Sequence, residues 1–174
     1  YSQDDIVVTE LHIPKGKKVH FKMRSQDVLH SAYMPHFRAQ MNCVPGMVTE
    51  FAFTPIYTTA EYRELPFMVE KVARINDLRA KKSADLVAKG GTALDPYTFD
   101  YLLLCNKICG ASHYNMQMKV VVDSPEDYKK WLSDKVALAK EFKASKETSA
   151  AEGATPSDSS KVANDSAAVK VAMK

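Results

Sequence analysis

Short runs of apolar and β-branched residues alternate along the chain with clusters of turn-forming residues. Ile6-Val7-Val8-Thr9-Glu10-Leu11-His12-Ile13 is rich in β-branched residues and stops at Pro14, which predicts a strand. After the turn Lys15-Gly16-Lys17-Lys18, the apolar Val19, Phe21 and Met23 alternate with His20, Lys22 and Arg24. That period of two is the signature of a half-buried strand. A loop follows, Asp27-Val28-Leu29-His30-Ser31. Val44-Pro45-Gly46-Met47 predicts a turn and Val48–Phe53 a strand, with two further strands at Phe99–Leu104 and Met116–Val122. Short strands with turn signals between them predict a mainly-β sandwich or barrel.

Residues 55–98 interrupt this rhythm. Thr59 and Glu61 suit the start of a short helical turn. From Pro66 onward, Val69, Val72, Ile75 and Leu78 recur at three-residue steps, with Leu86 and Val87 beyond, and Gly90-Gly91 offers a stop. This predicts an amphipathic helix inserted between strands. Its charges nearly cancel, with seven basic and six acidic residues across 55–98, the pattern of a solvated helix face. A second helix is expected after Asp123. Ser124 can cap it, Pro125 suits its first position, and Asp127 sits where a capping box puts its acid. It carries Tyr128, Trp131, Leu132 and Val136 and is expected to reach about Ala144. Residues 145–174 are rich in Ala, Ser, Lys and Thr and hold no aromatic residue, so they read as a low-complexity tail unable to bury enough surface to order itself. The expected organisation is one domain over 1–144, with the 55–98 helical insertion inside it, and a tail over 145–174.

Composition narrows the function. The 174 residues are 45% apolar and 26% charged, which suits a globular domain with one core. A net charge of +3 without a concentrated basic face argues against nucleic-acid binding. The longest apolar run, around Tyr101-Leu102-Leu103-Leu104-Cys105, falls far short of the roughly 20 residues a membrane span needs. No signal peptide is visible, and a chain opening on Tyr1 is expected to be part of a longer product.

The chemistry concentrates in Cys105-Asn106-Lys107-Ile108-Cys109-Gly110-Ala111-Ser112-His113-Tyr114-Asn115-Met116. Two thiols, an imidazole and a thioether lie within twelve residues, and His30 can join them from another loop. Soft sulfur donors beside imidazole favour copper, whereas structural zinc wants four Cys or His donors. A mononuclear blue-copper site needs one Cys, so the second thiolate would be surplus there; two thiolates can instead bridge two metal ions. His30 and His113 can then supply one imidazole each, Met116 one axial donor and a backbone carbonyl the other. Four-residue spacing would also align Cys105, Cys109 and His113 on a helix, but the strand before them and Gly110 among them favour a loop. His12, His20 and His36 read as ordinary strand and loop residues, with His36 the strongest rival ligand. Cys43 reads as a small buried apolar residue. Met34, Met41 and Met47 read as core fillers.

These residues carry a family resemblance. Asp27–Ser31, Met41-Asn42-Cys43-Val44-Pro45-Gly46-Met47 and Cys105–Met116, in that order and followed by the Ser124-Pro125-Glu126 helix start, make residues 6–140 resemble the copper-binding domain of subunit II of haem–copper cytochrome c oxidase. The resemblance implies a cupredoxin-like Greek-key β-sandwich. It implies a binuclear CuA centre in which Cys105 and Cys109 bridge two coppers, His30 and His113 each bind one, and Met116 and the backbone oxygen of Lys107 are axial. It implies an electron-transfer role from cytochrome c, soluble or tethered, to the haem of the catalytic subunit I, where oxygen reduction takes place, within a membrane respiratory complex. Quinol oxidases of the superfamily have lost these ligands, so their retention here points to cytochrome c as donor.

The chain departs from the family in three ways. Lys107 stands where the family usually has Glu, whose carboxylate also binds magnesium or manganese at the subunit interface, and an ammonium cannot ligate a cation. The family's aromatic stretch at the start of this domain and the membrane anchor before it are missing; Trp131 is the only Trp. Residues 55–98 exceed the usual connection, a plausible surface for other subunits or a dedicated donor. Insertion and tail together suggest a bacterial inner-membrane complex with this domain on the periplasmic face. Two rival functions are the CuA domain of another respiratory reductase such as nitrous-oxide reductase, and a thiol-redox or copper-delivery protein using the Cys105/Cys109 pair. The second would place the pair at a helix start in a thioredoxin-like fold and leave Met116 without a role.

Overall fold

A computed structural model describes residues 5–135 together with 137 and 140. Among the described residues, seven strands form two sheets around one core. They are β1 (Glu10–Pro14), β2 (Val19–Met23), β3 (His30–Met34), β4 (Ala39–Cys43), β5 (Thr49–Phe53), β6 (Tyr101–Leu104) and β7 (Gln117–Asp123). The larger sheet runs β1-β7-β6-β3-β4 and the smaller pairs β2 with β5. β1 and β7 are parallel, and the other pairs antiparallel. Neighbours in sequence, β1 and β2, β2 and β3, β4 and β5, therefore lie in different sheets. This is the mainly-β sandwich expected from the strand pattern, and it agrees with the cupredoxin-like fold that the resemblance implies.

Alternation drives the packing. In β2, Val19, Phe21 and Met23 are buried while His20 and Lys22 are exposed. Leu11 and Ile13 of β1 and Val120 and Val122 of β7 point to the same core. Phe21 stacks between Phe51 and Phe53 at centroid distances of 5.0 and 5.5 Å. Phe37 then links the sheets, stacking on Phe53 at 4.7 Å and on Tyr101 at 4.5 Å. Each fully buried side chain of this size contributes on the order of 2 kcal/mol by transfer from water.

The insertion holds α1 (Thr59–Glu64) and α2 (Pro66–Ala88). Thr58 caps α1, its hydroxyl accepting from the Glu61 amide while the Glu61 carboxylate accepts from the Thr58 amide. The buried Thr59 hydroxyl accepts from the Val122 amide at 2.8 Å, tying the insertion to β7. Pro66 occupies the first turn of α2, and Gly90 follows it with φ of +80°, a conformation that costs glycine little.

The apolar stripe expected on α2 packs only in its middle, at Val72 and Ile75. Met68 is buried and Val72 touches the core, but Val69 is 53% and Leu78 62% exposed. The reason is geometric. A residue turns about 100° around a helix, so nine residues from Val69 to Leu78 end on the opposite face. The packed face instead grips the returning segment 92–99 with polar side chains. Asn76 binds both backbone groups of Tyr97 (2.7 and 3.2 Å), Arg79 donates to the Asp95 carbonyl, and Ser83 accepts from the Leu94 amide. That segment has no ladder partner, so side chains satisfy its backbone.

Several boundaries differ from the sequence reading. β1 begins at Glu10 rather than Ile6, and its last residue is Pro14 itself. β3 begins inside the loop expected at 27–31 and β4 lies where no element was expected, because HSAYM and AQMNC lack a β-branched run and take their strand form from mutual pairing. The helix expected after Asp123, α3, spans Pro125–Ser133, capped by Ser124, and Asp134 and Lys135 lie outside it. Val136 and most of the expected continuation to Ala144 lie outside the described residues, as does the tail. In place of a full capping box, the Ser124 hydroxyl both accepts from the Asp127 amide and donates to its carboxylate. Among the described residues no helix is long and apolar enough to cross a membrane.

Candidate metal centre

The strand ends bring the expected donors to one pole of the sandwich. His30 opens β3, where it faces Cys43 at the end of β4. Tyr33 pairs with Leu104, the last residue of β6, so Cys105 leaves that strand beside β3. The Cys105 amide donates to the Met116 carbonyl at 3.1 Å, which closes the base of the loop before β7. Between them, residues 106–112 form an irregular loop and His113–Asn115 a single 3₁₀ turn. Gly110, with φ of +143°, lets the chain turn back toward Cys109 where a side chain would be strained.

All six expected site residues converge. Cys105 Sγ and Cys109 Sγ are 3.7 Å apart, far beyond the roughly 2.05 Å of a disulfide, and both are free thiols. His30 Nδ1 lies 4.0 Å from Cys105 Sγ, and His113 Nδ1 3.5 Å from Cys109 Sγ. Met116 Sδ is 3.7 Å from Cys109 Sγ, and the Lys107 carbonyl 3.4 Å from Cys105 Sγ. The side-chain donors of His30, Cys105 and Cys109 all fall within 4.8 Å of one another, close enough to share a metal. Two thiols side by side, each with its own imidazole and a weaker donor nearby, suit a pair of soft metal ions bridged by sulfur.

Local electrostatics prepare the donors. Burial works to raise the Cys105 thiol, but hydrogen bonds to the backbone at Lys107 and Ser31, with His30 and His113 adding to them, lower it to about 6. Cys109 is raised, by burial and then by the neighbouring Cys105 thiolate. Burial pulls His30 down, yet its bond to Asp27 and its contact with Cys105 leave it above its ordinary value.

Asp27 is the residue that sequence reasoning left without a role. Its carboxylate holds His30 Nε2 at 2.8 Å, which turns Nδ1 toward Cys105. A carboxylate on the outer nitrogen of a ligating imidazole is the usual way to fix its ring and tautomer. The signal was present in the three-residue spacing from Asp27 to His30, but only the bend into β3 makes the two side chains meet.

The other candidates separate from the site. His36 sits in a 3₁₀ turn (Pro35–Phe37) against Phe99, ring centroids 4.8 Å apart, and burial lowers its pKa. His12 binds Asp123 at 2.5 Å and stacks on Trp131, and His20 faces Glu50. Cys43 is half-buried beside the core, and burial raises its thiol. Met34 is buried and Met41 packs on the core as expected, but Met47 is 56% exposed because the Val44–Met47 turn projects from the pole.

No family model matches the chain. Among curated proteins, it is 36% identical over 141 residues to the alternative cytochrome c oxidase subunit 2 of Bradyrhizobium diazoefficiens, covering 80% of this chain and 36% of that one. It is 27% identical over 140 residues to cytochrome c oxidase subunit 2 of Thermostichus vulcanus, covering 80% and 30%. Among solved structures, the periplasmic domain of subunit II of cytochrome oxidase (CoxB) of Bradyrhizobium japonicum aligns with a TM-score of 0.47 at 15% identity, over 79% of this chain and 76% of that one. The chain spans about a third of the length of the curated relatives it matches. Over the stretch shared with those relatives, this chain belongs to the family of cytochrome c oxidase subunit 2.

Proposed function

We propose that this chain carries a binuclear CuA centre, accepting electrons from a cytochrome c and passing them to the haem of the catalytic subunit I of a terminal oxidase. One observation carries the reading: two unbonded thiols 3.7 Å apart, flanked by two imidazoles, a thioether and a backbone carbonyl. Cys105 and Cys109 would hold both coppers, His30 and His113 would hold one each, and Met116 and the Lys107 carbonyl would add the weak donors. When bound, the copper pair takes up and releases single electrons.

The chain's own residues supply the rest. Cys105, with its pKa near 6, is already a thiolate at neutral pH, as metal binding requires. Asp27 holds the His30 ring in its ligating orientation. Donors set on strand ends and a closed loop leave the site little to rearrange between redox states. The residues do not suit the family's magnesium or manganese site. No Asp or Glu lies between Cys105 and Met116, and Lys107 brings a cation of its own. We place the domain on the periplasmic side of a bacterial inner membrane, and assign 1–144 to the copper domain with 55–98 as its insertion and 145–174 as a tail.

Electron paramagnetic resonance with copper counting on the full-length subunit tests this. The expected spectrum shows one electron shared over two equivalent coppers, lost in Cys105→Ser and in Cys109→Ser. A single-copper spectrum, or a Cys105–Cys109 disulfide without copper, would replace the oxidase reading by blue-copper or copper-delivery chemistry.

A further inference from the structure

We propose that the Lys107 ammonium itself serves as the cation at the contact with the haem-bearing subunit, pairing there with carboxylates of that subunit in place of a divalent metal. The proposal rests on the oxidase reading above, in which position 107 lies at that contact. It adds the chemistry of the surface that the ligand loop meets.

The loop fixes where residue 107 stands. Its carbonyl lies 3.4 Å from Cys105 Sγ, and the Cys105 amide closes the base of the loop on the Met116 carbonyl. The Lys107 side chain therefore starts from a set point beside the centre. It is exposed, as are its neighbours Asn106 and Ile108.

Nothing in the chain balances its charge. Residues 105–116 hold no Asp or Glu. In the two other loops at this pole, 24–29 and 44–48, Asp27 is the one acid, and it is bound to His30. Glu10 on β1 and Glu50 on β5 lie near Lys119 and Lys22 at 3.7 and 3.8 Å. Among the described residues, Lys107 has no carboxylate partner.

An ammonium closed into an interface without a counter-charge loses its hydration and gains nothing in return. A surface that seats this loop must therefore bring carboxylate oxygens to Lys107. The charge balance then matches the family's arrangement. A glutamate holding a divalent cation leaves one net positive charge, and so does a lysine. Carboxylates placed to neutralise the first also neutralise the second, and the N–H donors of one ammonium can serve more than one carboxylate. The two arrangements exclude each other, because the ammonium repels a divalent cation from the same oxygens.

The test uses the assembled oxidase from cells grown with manganese in excess. Elemental analysis and the manganese resonance signal are expected to show no stoichiometric manganese, and a chelator should leave the subunits together. Lys107→Glu should take up manganese stoichiometrically, and its subunits should then part on chelation. Lys107→Met keeps most of the stem without the charge and should lose this subunit about tenfold faster in detergent, with Lys107→Arg close to the parent. The copper absorption of each variant, read alongside, shows whether its centre has formed. If Lys107→Met does not form the centre, the manganese counts of the parent and of Lys107→Glu decide. Stoichiometric manganese in the parent, released only as the subunits part, would overturn the proposal without any variant. So would a Lys107→Met complex that holds copper and stays together as the parent does, or a Lys107→Glu complex that holds copper but takes up no manganese. Absence of the two-copper signal in the parent protein would instead defeat the CuA reading itself.

Discussion

Removing the Asp27 carboxylate tests how the metal centre is built, because it touches no metal ligand atom. Asp27 Oδ1 lies 2.8 Å from His30 Nε2, leaving Nδ1 to face Cys105. Losing the outer hydrogen bond of a ligating histidine typically costs about 10–100-fold in metal affinity. Asp27 is 64% exposed, so water partly replaces the lost bond, and the expected effect of Asp27→Ala lies near the lower end, about tenfold. Asp27→Asn keeps an acceptor oxygen but loses the charge and should fall between Ala and the parent. The assay is copper competition against a chelator of known affinity at fixed pH.

The metal-free protein gives a second readout of the same contact. His30 is raised above its ordinary 6.5, the bond to Asp27 outweighing burial in concert with Cys105. A raised histidine contributes stability that is complete below its unfolded value, about 6.5, and is lost as pH rises through the folded-state value. Both Asp27 variants should lower the His30 titration midpoint seen by NMR and flatten that pH dependence of stability. Copper needs the imidazole neutral, so its affinity should climb as pH rises through the same midpoint. An Asp27→Ala protein with parental copper affinity and an unmoved His30 midpoint would refute the positioning role.

The remaining predictions concern the thiols and the scaffold. In the reduced, metal-free chain, Cys105 should alkylate first at pH 7, its rate following a pKa of about 6 while Cys109 lags, as read by mass spectrometry over a pH series; preferential labelling of Cys109 would reverse the assignment. Asn76→Ala removes both bonds to the Tyr97 backbone and should cost about 1–3 kcal/mol in urea unfolding, with lost protection of the Tyr97 amide in hydrogen exchange. An unchanged midpoint with a protected amide would mean that the return segment is held by other contacts. Phe99→Ala empties a fully buried site between His36, Tyr62 and Tyr101 and should cost about 3–5 kcal/mol, measured by the same unfolding experiment. A loss below ~1 kcal/mol would show that the pocket collapses around the deletion.

What the sequence by itself determined lies in features whose signal is local. The alternation in Val19–Met23, the strand flanking each end of the ligand loop, the Pro66 and Ser124 helix starts and the Gly90 stop all follow from neighbours within a few residues. The candidate donor set was readable for the same reason: four of its side chains fall within twelve residues, and soft donors at that spacing have few other uses. Tertiary structure decided whatever depends on residues distant in sequence. β3 and β4 are strands because they pair with each other and with β6, not because their residues prefer it, and that pairing sets His30 beside Cys105 across 75 positions. Polar grips on a segment returning some twenty residues later decided how far the packed face of α2 follows the apolar repeat in its own sequence, and Val69 and Leu78 are left exposed. Asp27 became a positioning group, and Met47 an exposed one, only when the loops folded onto one pole. Local preferences amount to fractions of a kcal/mol per residue, whereas a buried contact or a ladder of hydrogen bonds is worth several, so the fold overrides the local pattern wherever the two disagree.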